Sequence, residues 1–195
     1  HGDDNTGIGY NALFSNTIGN DNTAIGIESL YANTDGYYNV AVGSQALTRN
    51  TSGYRNVAIG GAALFNNISG IFNTAIGDAA MINNISGSYN TSNGWRTLNN
   101  NTTGRDNTAV GGEALRYNGT GNNNTAFGRQ TLNRNTTGYS NVAIGMRALF
   151  WNEDRSNLVA VGDSALYNNG RSVTLSEQAQ GNTALGSKAL YKNTT

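Results

Sequence analysis

Residues able to do acid–base or nucleophilic chemistry are few in this chain, and most of them belong to a pattern. The one histidine is His1 and there is no cysteine, so a nucleophile–base pair would have to join Ser or Thr to Lys or a carboxylate. Ser and Thr are abundant, but they fall in columns that recur at fixed spacing along the chain. Adjacent carboxylates occur at Asp3–Asp4 and Glu153–Asp154. The second pair precedes Arg155 and reads as a loop ion pair, not as two carboxylates facing each other across a sugar. Neither a histidine cluster nor a D-x-D-x-D-G calcium loop is present. The glycines are periodic and lack the βαβ context of a phosphate-cradling loop. The sequence therefore points to a non-enzyme, with no catalytic residue, cofactor or metal site.

Twelve basic residues balance twelve acidic ones in 195, and only 12% of the chain is charged. That balance removes the electrostatic case for nucleic acid or an anionic membrane surface as partner. No apolar run has the length of a membrane helix, so the chain is not expected to be embedded in a membrane, and no signal peptide opens it. A polar, glycine-rich composition can mean disorder, but the strict recurrence of Ala, Ile and Leu means an ordered repeat.

The repeat is carried by the pentapeptide NTAIG at Asn22 and Asn73, with NVAVG at Asn39, NVAIG at Asn56 and Asn141, NTAVG at Asn107, NTAFG at Asn124 and NTALG at Asn182. Its glycine falls every 17 residues from Gly9 to Gly162, and a last copy, Gly186, follows after 24, so one coil holds a seven-residue insertion. Numbering coils by this glycine gives eleven, spanning residues 1–195 as one repeat domain. A leucine column lies four places on (Leu13, Leu30, Leu47, Leu64, with Met81 as its variant), an asparagine seven places on, and a second glycine ten places on (Gly19, Gly36, Gly53). Such a period marks a solenoid, and 17 residues are too few for a helical hairpin.

The reading is an all-β parallel solenoid of eleven coils, each built as two short strands and two turns. Glycine supplies the turns where positive φ is needed. Alternation puts Ile25, Val42, Ile59, Ile76, Val110 and Ile144 in the core with the leucines, and turns the alanines to a thin outer face open to a neighbouring chain. One Ile and one Leu per coil make a marginal interior against the entropy of ordering the chain, which favours an oligomer.

These motifs resemble the head repeats of trimeric autotransporter adhesins of the YadA type, on the strength of NVAIG at Asn56–Gly60 and Asn141–Gly145 and its variants in the other coils. The resemblance spans the whole chain. It implies a left-handed parallel β-roll, three chains packed into a head, and an extracellular setting. The unit here is longer than the usual head repeat, the extra residues lying around A-L-x-x-N-T-x-G. Units of this longer kind look like those of phage tail fibres and large surface proteins. No coiled-coil stalk or membrane anchor is seen.

Recognition is expected where the repeat varies. Aromatics precede the pentapeptide (Tyr37, Tyr38, Tyr54) and mark a column five places past the main glycine at both ends of the chain. Coil six reads Asn90–Gly94 followed by Trp95, with Asn93 in the isoleucine slot, where a buried polar group would need a partner from another chain. Coil nine carries Trp151, Glu153, Asp154 and Arg155 in place of the usual turn. The insertion lies within 170–181 and opens with Arg171. Loops on a rigid scaffold are where function concentrates. Neither terminus shows a capping coil, as in a section of a longer array or a unit that stacks end to end.

The function expected is that of an extracellular fibre or adhesin segment, on a cell surface or a virion, with itself as partner in a homotrimer and a host-surface glycan or matrix protein as ligand. The alternative is a purely structural filament subunit stacking end to end. Ice binding through the threonine column is disfavoured because Val40, Val57 and Val142 interrupt it.

Overall fold

The computed structural model of the protein describes residues 2–171 and 179–194. Among them are eleven three-residue strands: β1 (Thr6–Ile8), β2 (Thr23–Ile25), β3 (Val40–Val42), β4 (Val57–Ile59), β5 (Thr74–Ile76), β6 (Thr91–Asn93), β7 (Thr108–Val110), β8 (Thr125–Phe127), β9 (Val142–Ile144), β10 (Val159–Val161) and β11 (Thr183–Leu185). They form one sheet in chain order, each strand parallel to the next. Ala24 faces Ala41 and Ile25 faces Val42. The same register survives the insertion, where Val159 faces Thr183. The protein is a parallel β-solenoid, rising about 4.8 Å per coil to a rod on the order of 50 Å long.

Each coil contributes one strand, not two. The turn residues are nonetheless bonded from coil to coil: the Leu30, Ala32 and Thr34 amides donate to the carbonyls of Ala46, Thr48 and Thr51 at 2.9–3.0 Å. What keeps these segments from being strands is their dihedral angles. Three residues per coil besides the glycine have positive φ, as in Glu28, Leu30 and Tyr38 (55°, 49° and 55°), and the same three columns recur from Asp4 to Leu190. Left-handed residues reverse the chain direction sharply, so three of them and one glycine fold 17 residues into a closed coil.

The expected faces are reversed. The alanines at the strand centres, from Ala24 to Ala160, are fully buried, together with the alanines three places past the glycine (Ala46, Ala63, Ala80) and the leucine column. Ile25, Ile59 and Ile144 point outward, 36%, 39% and 43% exposed, and Val42, Ile76 and Val110 are half-buried on that same outer face. The strand-centre position holds only Gly, Ala or Ser in all eleven strands, the small residues that pack inside beside the leucine column. Asn93 stands in the isoleucine slot and is accordingly exposed, so it needs no partner from another chain.

Two asparagine columns complete the interior. In the unit 22–38, the Asn22 and Asn33 side-chain amides both donate to the Gly36 carbonyl, at 2.8 and 2.9 Å. Asn33 Nδ2 also donates to Asn16 Oδ1 in the coil before (2.8 Å), and Asn39 Nδ2 and its backbone N–H donate to Asn22 Oδ1 (3.1 and 3.0 Å). Each amide thus bridges its own coil and links it to a neighbour. The second glycine is required by space, not by φ. A Cβ on Gly36 would collide with Asn33 Oδ1 and the Gly53 carbonyl. The first glycine needs its conformation, with φ of +133° at Gly26.

The chain leaves 8527 Å² accessible, close to the roughly 8,800 Å² expected of a compact monomer of this mass. A single roll is therefore about as compact as an ordinary globular domain of its mass.

Two stability series follow. Leu64→Ala should cost about 2–5 kcal/mol and Ile59→Ala less than about 1 kcal/mol in a single chain; equal losses in urea melts would contradict the observed faces. Ala62→Gly and Ala79→Gly, at φ of 52° and 53°, should each stabilise by up to about 1 kcal/mol, because left-handed strain of about 1–2 kcal/mol exceeds the chain-entropy loss of glycine.

Candidate binding surfaces

The residues singled out in the sequence separate into three places. Tyr37, Tyr38 and Tyr54 come together. Tyr37 stacks on Tyr54 at 4.6 Å between centroids and meets Tyr38 edge-on at 5.6 Å. The cluster continues through Phe72 to Tyr89. Arg55 inserts its guanidinium over both Tyr38 and Phe72, at 5.7 and 5.2 Å. Tyr38 and Tyr89 have positive φ, a conformation unusual for an aromatic residue, and here the rings are held by neighbours one coil away.

Trp95 is alone in a second place. It is 47% exposed, one position past the main glycine, with the Arg96 guanidinium 4.7 Å from its ring centre.

Trp151 and Arg171 meet in the third place. Arg171 lies 4.6 Å from the Trp151 ring and Arg134, one coil earlier, 4.8 Å from it. Arg134 also covers Tyr117 at 5.3 Å, and Arg116 covers Tyr117 at 5.0 Å. The result is an alternating column of cations and rings, Arg116–Tyr117–Arg134–Trp151–Arg171. Arg116, Tyr117 and Arg134 were not singled out in the sequence. The column six places past the main glycine holds the signal: Arg49, Asn66, Asn83, Asn100, Tyr117, Arg134 and Trp151 stand in register there.

Glu153, Asp154 and Arg155 divide between surface and interior. Glu153 is exposed and works through its backbone, its carbonyl accepting from the Thr136 amide and hydroxyl at 2.6 and 2.8 Å. Asp154 is half-exposed and pairs with Arg155 at 2.6 Å, the ion pair expected from the sequence. The Arg155 side chain is 5% exposed. It occupies the second-glycine position of its coil, and its carbonyl takes the two asparagine amides, from Asn141 and Asn152, at 2.9 Å each. An ordinary coil has no room for a Cβ here. In this one the next coil departs: Asn169 Nδ2 turns to the Ala179 carbonyl (2.8 Å), and Asn152 Oδ1 is left with no hydrogen-bond partner among the described residues. Gly170 lies close enough that a Cβ would sit 3.0 Å from Arg155 Cγ. The buried arginine thus fills the place where the insertion interrupts the asparagine ladder. The rest of the insertion, 172–178, lies outside the described residues.

In coil six the strand-centre alanine is Ser92 and the alanine three past the glycine is Thr97, both fully buried. Their hydroxyls bond to each other, and Thr97 donates to the Gly94 carbonyl at 2.8 Å. Two polar substitutions in facing core positions satisfy one another, which no single-column reading of the repeat reveals.

Comparisons of the chain with family models, with curated proteins and with solved structures returned no match.

The Ser92–Thr97 couple is testable by a double-mutant cycle. Ser92→Ala or Thr97→Ala alone should cost about 0.5–1.5 kcal/mol by removing the hydroxyl–hydroxyl bond, and the double variant, which restores the alanine pair of most other coils, should cost less than the two single losses added together. Additive losses in thermal or urea melts would show the two hydroxyls to be independent.

Proposed function

We propose that this chain is a non-enzymatic segment of an extracellular fibre or adhesin, a rigid β-solenoid that associates as a homotrimer and presents attachment surfaces along its length. The observation that carries the reading is the outer face of the sheet. Thr or Val at the first position of each strand and, in every strand but β6 with its Asn93, Ile, Val, Phe or Leu at the third lie on the outer face from Ile8 to Leu185. A monomer seldom exposes an apolar stripe of this length, and such stripes mark interaction surfaces. Parallel strands, moreover, are ordinarily covered on both faces.

The alanine column was expected to admit a neighbouring chain. With alanine inside, the isoleucine face takes that role, and the resemblance to trimeric adhesin heads fits three chains meeting along it. Regular coil-to-coil bonding makes the rod stiff, as a projecting attachment element requires. The alternative, a stacking filament subunit, predicts a mass that grows with concentration.

Light scattering tests the proposal directly. A mass near three times 20.5 kDa that is independent of concentration is the expected outcome. The double variant Ile59→Glu/Ile144→Glu should fall to one chain with its circular dichroism unchanged. A wild-type monomer at all concentrations, or open-ended growth, would overturn the trimer.

A further inference from the structure

The cation–ring column continues, at the same position of the repeat, into a groove. Asn66 Nδ2 donates to Asn83 Oδ1 (3.1 Å) and Asn83 Nδ2 to Asn100 Oδ1 (2.9 Å), forming an amide ladder on the surface. Ile68 and Ile85, 44% and 43% exposed, form an apolar wall beside it, and the groove they share encloses about 440 Å³. That is the scale of a ligand cleft. Asn66 and Asn83 each spend one N–H in the ladder and Asn100 only accepts, so every rung keeps at least one N–H and a lone pair, the complement of a hydroxyl. Beyond Asn100 the same strip becomes Tyr117, Arg134 and Trp151, with Arg171 completing it.

Two features define what this strip takes. First, two of its cations have no carboxylate partner among the described residues. Glu113 pairs with Arg116 at 2.6 Å, but among the described residues Arg134 and Arg171 have no carboxylate within salt-bridge distance. Their planar faces are committed to Tyr117 and Trp151, which leaves the N–H edges in solvent. A stacked guanidinium is weakly hydrated and held in one orientation, the arrangement that binds a carboxylate or sulfate with two parallel hydrogen bonds. Second, the spacing is that of a linear polymer. Arg134 and Arg171 flank Trp151 from the coil before and the coil after, about 10 Å or two coil steps apart. One coil step is close to the advance of one sugar ring in an extended glycan, so the two cations match anionic groups on alternate sugars. With two guanidinium groups 4.8 and 4.6 Å from its ring centre, Trp151 acts as a spacer that orients them, not as a platform for a sugar ring.

Resting on the attachment reading above, the geometry points to this strip as the binding site for a linear acidic polysaccharide. Arg134 and Arg171 take its uronate carboxylates or sulfates, and the amide ladder of Asn66, Asn83 and Asn100 takes ring hydroxyls beside the isoleucine wall. A nucleic acid is the poorer fit, because its phosphates come about every 3.4 Å along a strand and demand a denser line of cations than two.

Titration calorimetry of the full chain decides this, with oligogalacturonate as the carboxylate probe, dextran sulfate oligomers as the sulfate probe, and neutral dextran and single-stranded DNA alongside. Saturable binding of at least one acidic glycan is expected, with no heat from neutral dextran and weaker binding of DNA. Arg134→Gln/Arg171→Gln should weaken the acidic glycan at least tenfold. Arg134→Lys, which keeps charge but loses the planar stack, should weaken it by a smaller factor, and Arg129→Gln, a cation outside the strip, should leave it unchanged. Melting temperatures within error of wild type exclude misfolding, and Asn83→Ala provides a second variant that removes a rung while sparing the cations; it should also weaken binding. No saturable binding of either acidic probe, undiminished binding by the double variant, or tighter binding of DNA would overturn the assignment. Mass measured on the same samples separates the two readings: glycan binding by a monomer removes the trimer alone, and a trimer blind to both probes removes this site alone.

Discussion

The structure depends on the carbonyl of the second glycine in each coil, which accepts two asparagine side-chain amides from its own unit. The pair closes the coil across its interior, as Asn22 and Asn33 do on Gly36, and Asn107 and Asn118 do on Gly121. A polar group buried without a partner is costly, so a narrow tube with two amides per coil inside is tenable only if every one is bonded. Stacking provides this. From Asn5 to Asn141 each Oδ1 of the two columns accepts from the next coil, the run stopping at Asn152 where the insertion follows, and the period of the repeat is therefore also the period of the hydrogen bonds. A change of one residue in coil length would misplace both ladders at once.

The same tightness explains the unusual backbone. With four residues per coil at positive φ, the chain carries conformational strain at alanines, leucines and aromatics that glycine would relieve. Most of those positions hold side chains with a task glycine cannot perform: leucine fills the interior, and the residue two past the main glycine projects into ladders such as Glu28–Gln45 and Glu113–Gln130, Ala62 and Ala79 being the exceptions. Coil-to-coil bonding around the whole circumference offsets the strain, which is why the left-handed columns persist through every described coil.

A core of alanine, leucine and bonded asparagine leaves the larger apolar residues outside. The chain thereby presents two kinds of surface. The sheet face is regular, a column of Thr or Val beside a column that is apolar except at Asn93. The turn side is varied, and its variation is organised into columns because residues 17 apart are neighbours. Aromatic and cationic side chains that are scattered in sequence become stacks, such as Phe150–Tyr167–Tyr191 at 5.3 and 5.0 Å, or alternate as Arg134 and Trp151 do. Coil nine shows the converse. There a buried Arg155 replaces glycine only because the next coil, carrying the insertion, no longer continues the ladder.

The period of 17, the parallel solenoid, the extent of the repeat and the position of its insertion were all legible in the sequence. Each follows from the recurrence of residue types, and recurrence in sequence forces recurrence in space. So too was the ion pair at Asp154 and Arg155. Which face of T-A-I turns inward was not legible, because alternation along a three-residue strand gives two faces and no label. The tertiary structure decided it through packing: the small strand-centre residues fit inside beside the leucine column. Nor did the columns show that Gly36 is required by space alone where Gly26 is required by both space and φ, or that Ser92 and Thr97 answer each other across the interior. Those outcomes rest on distances between columns, and only the closed coil sets them.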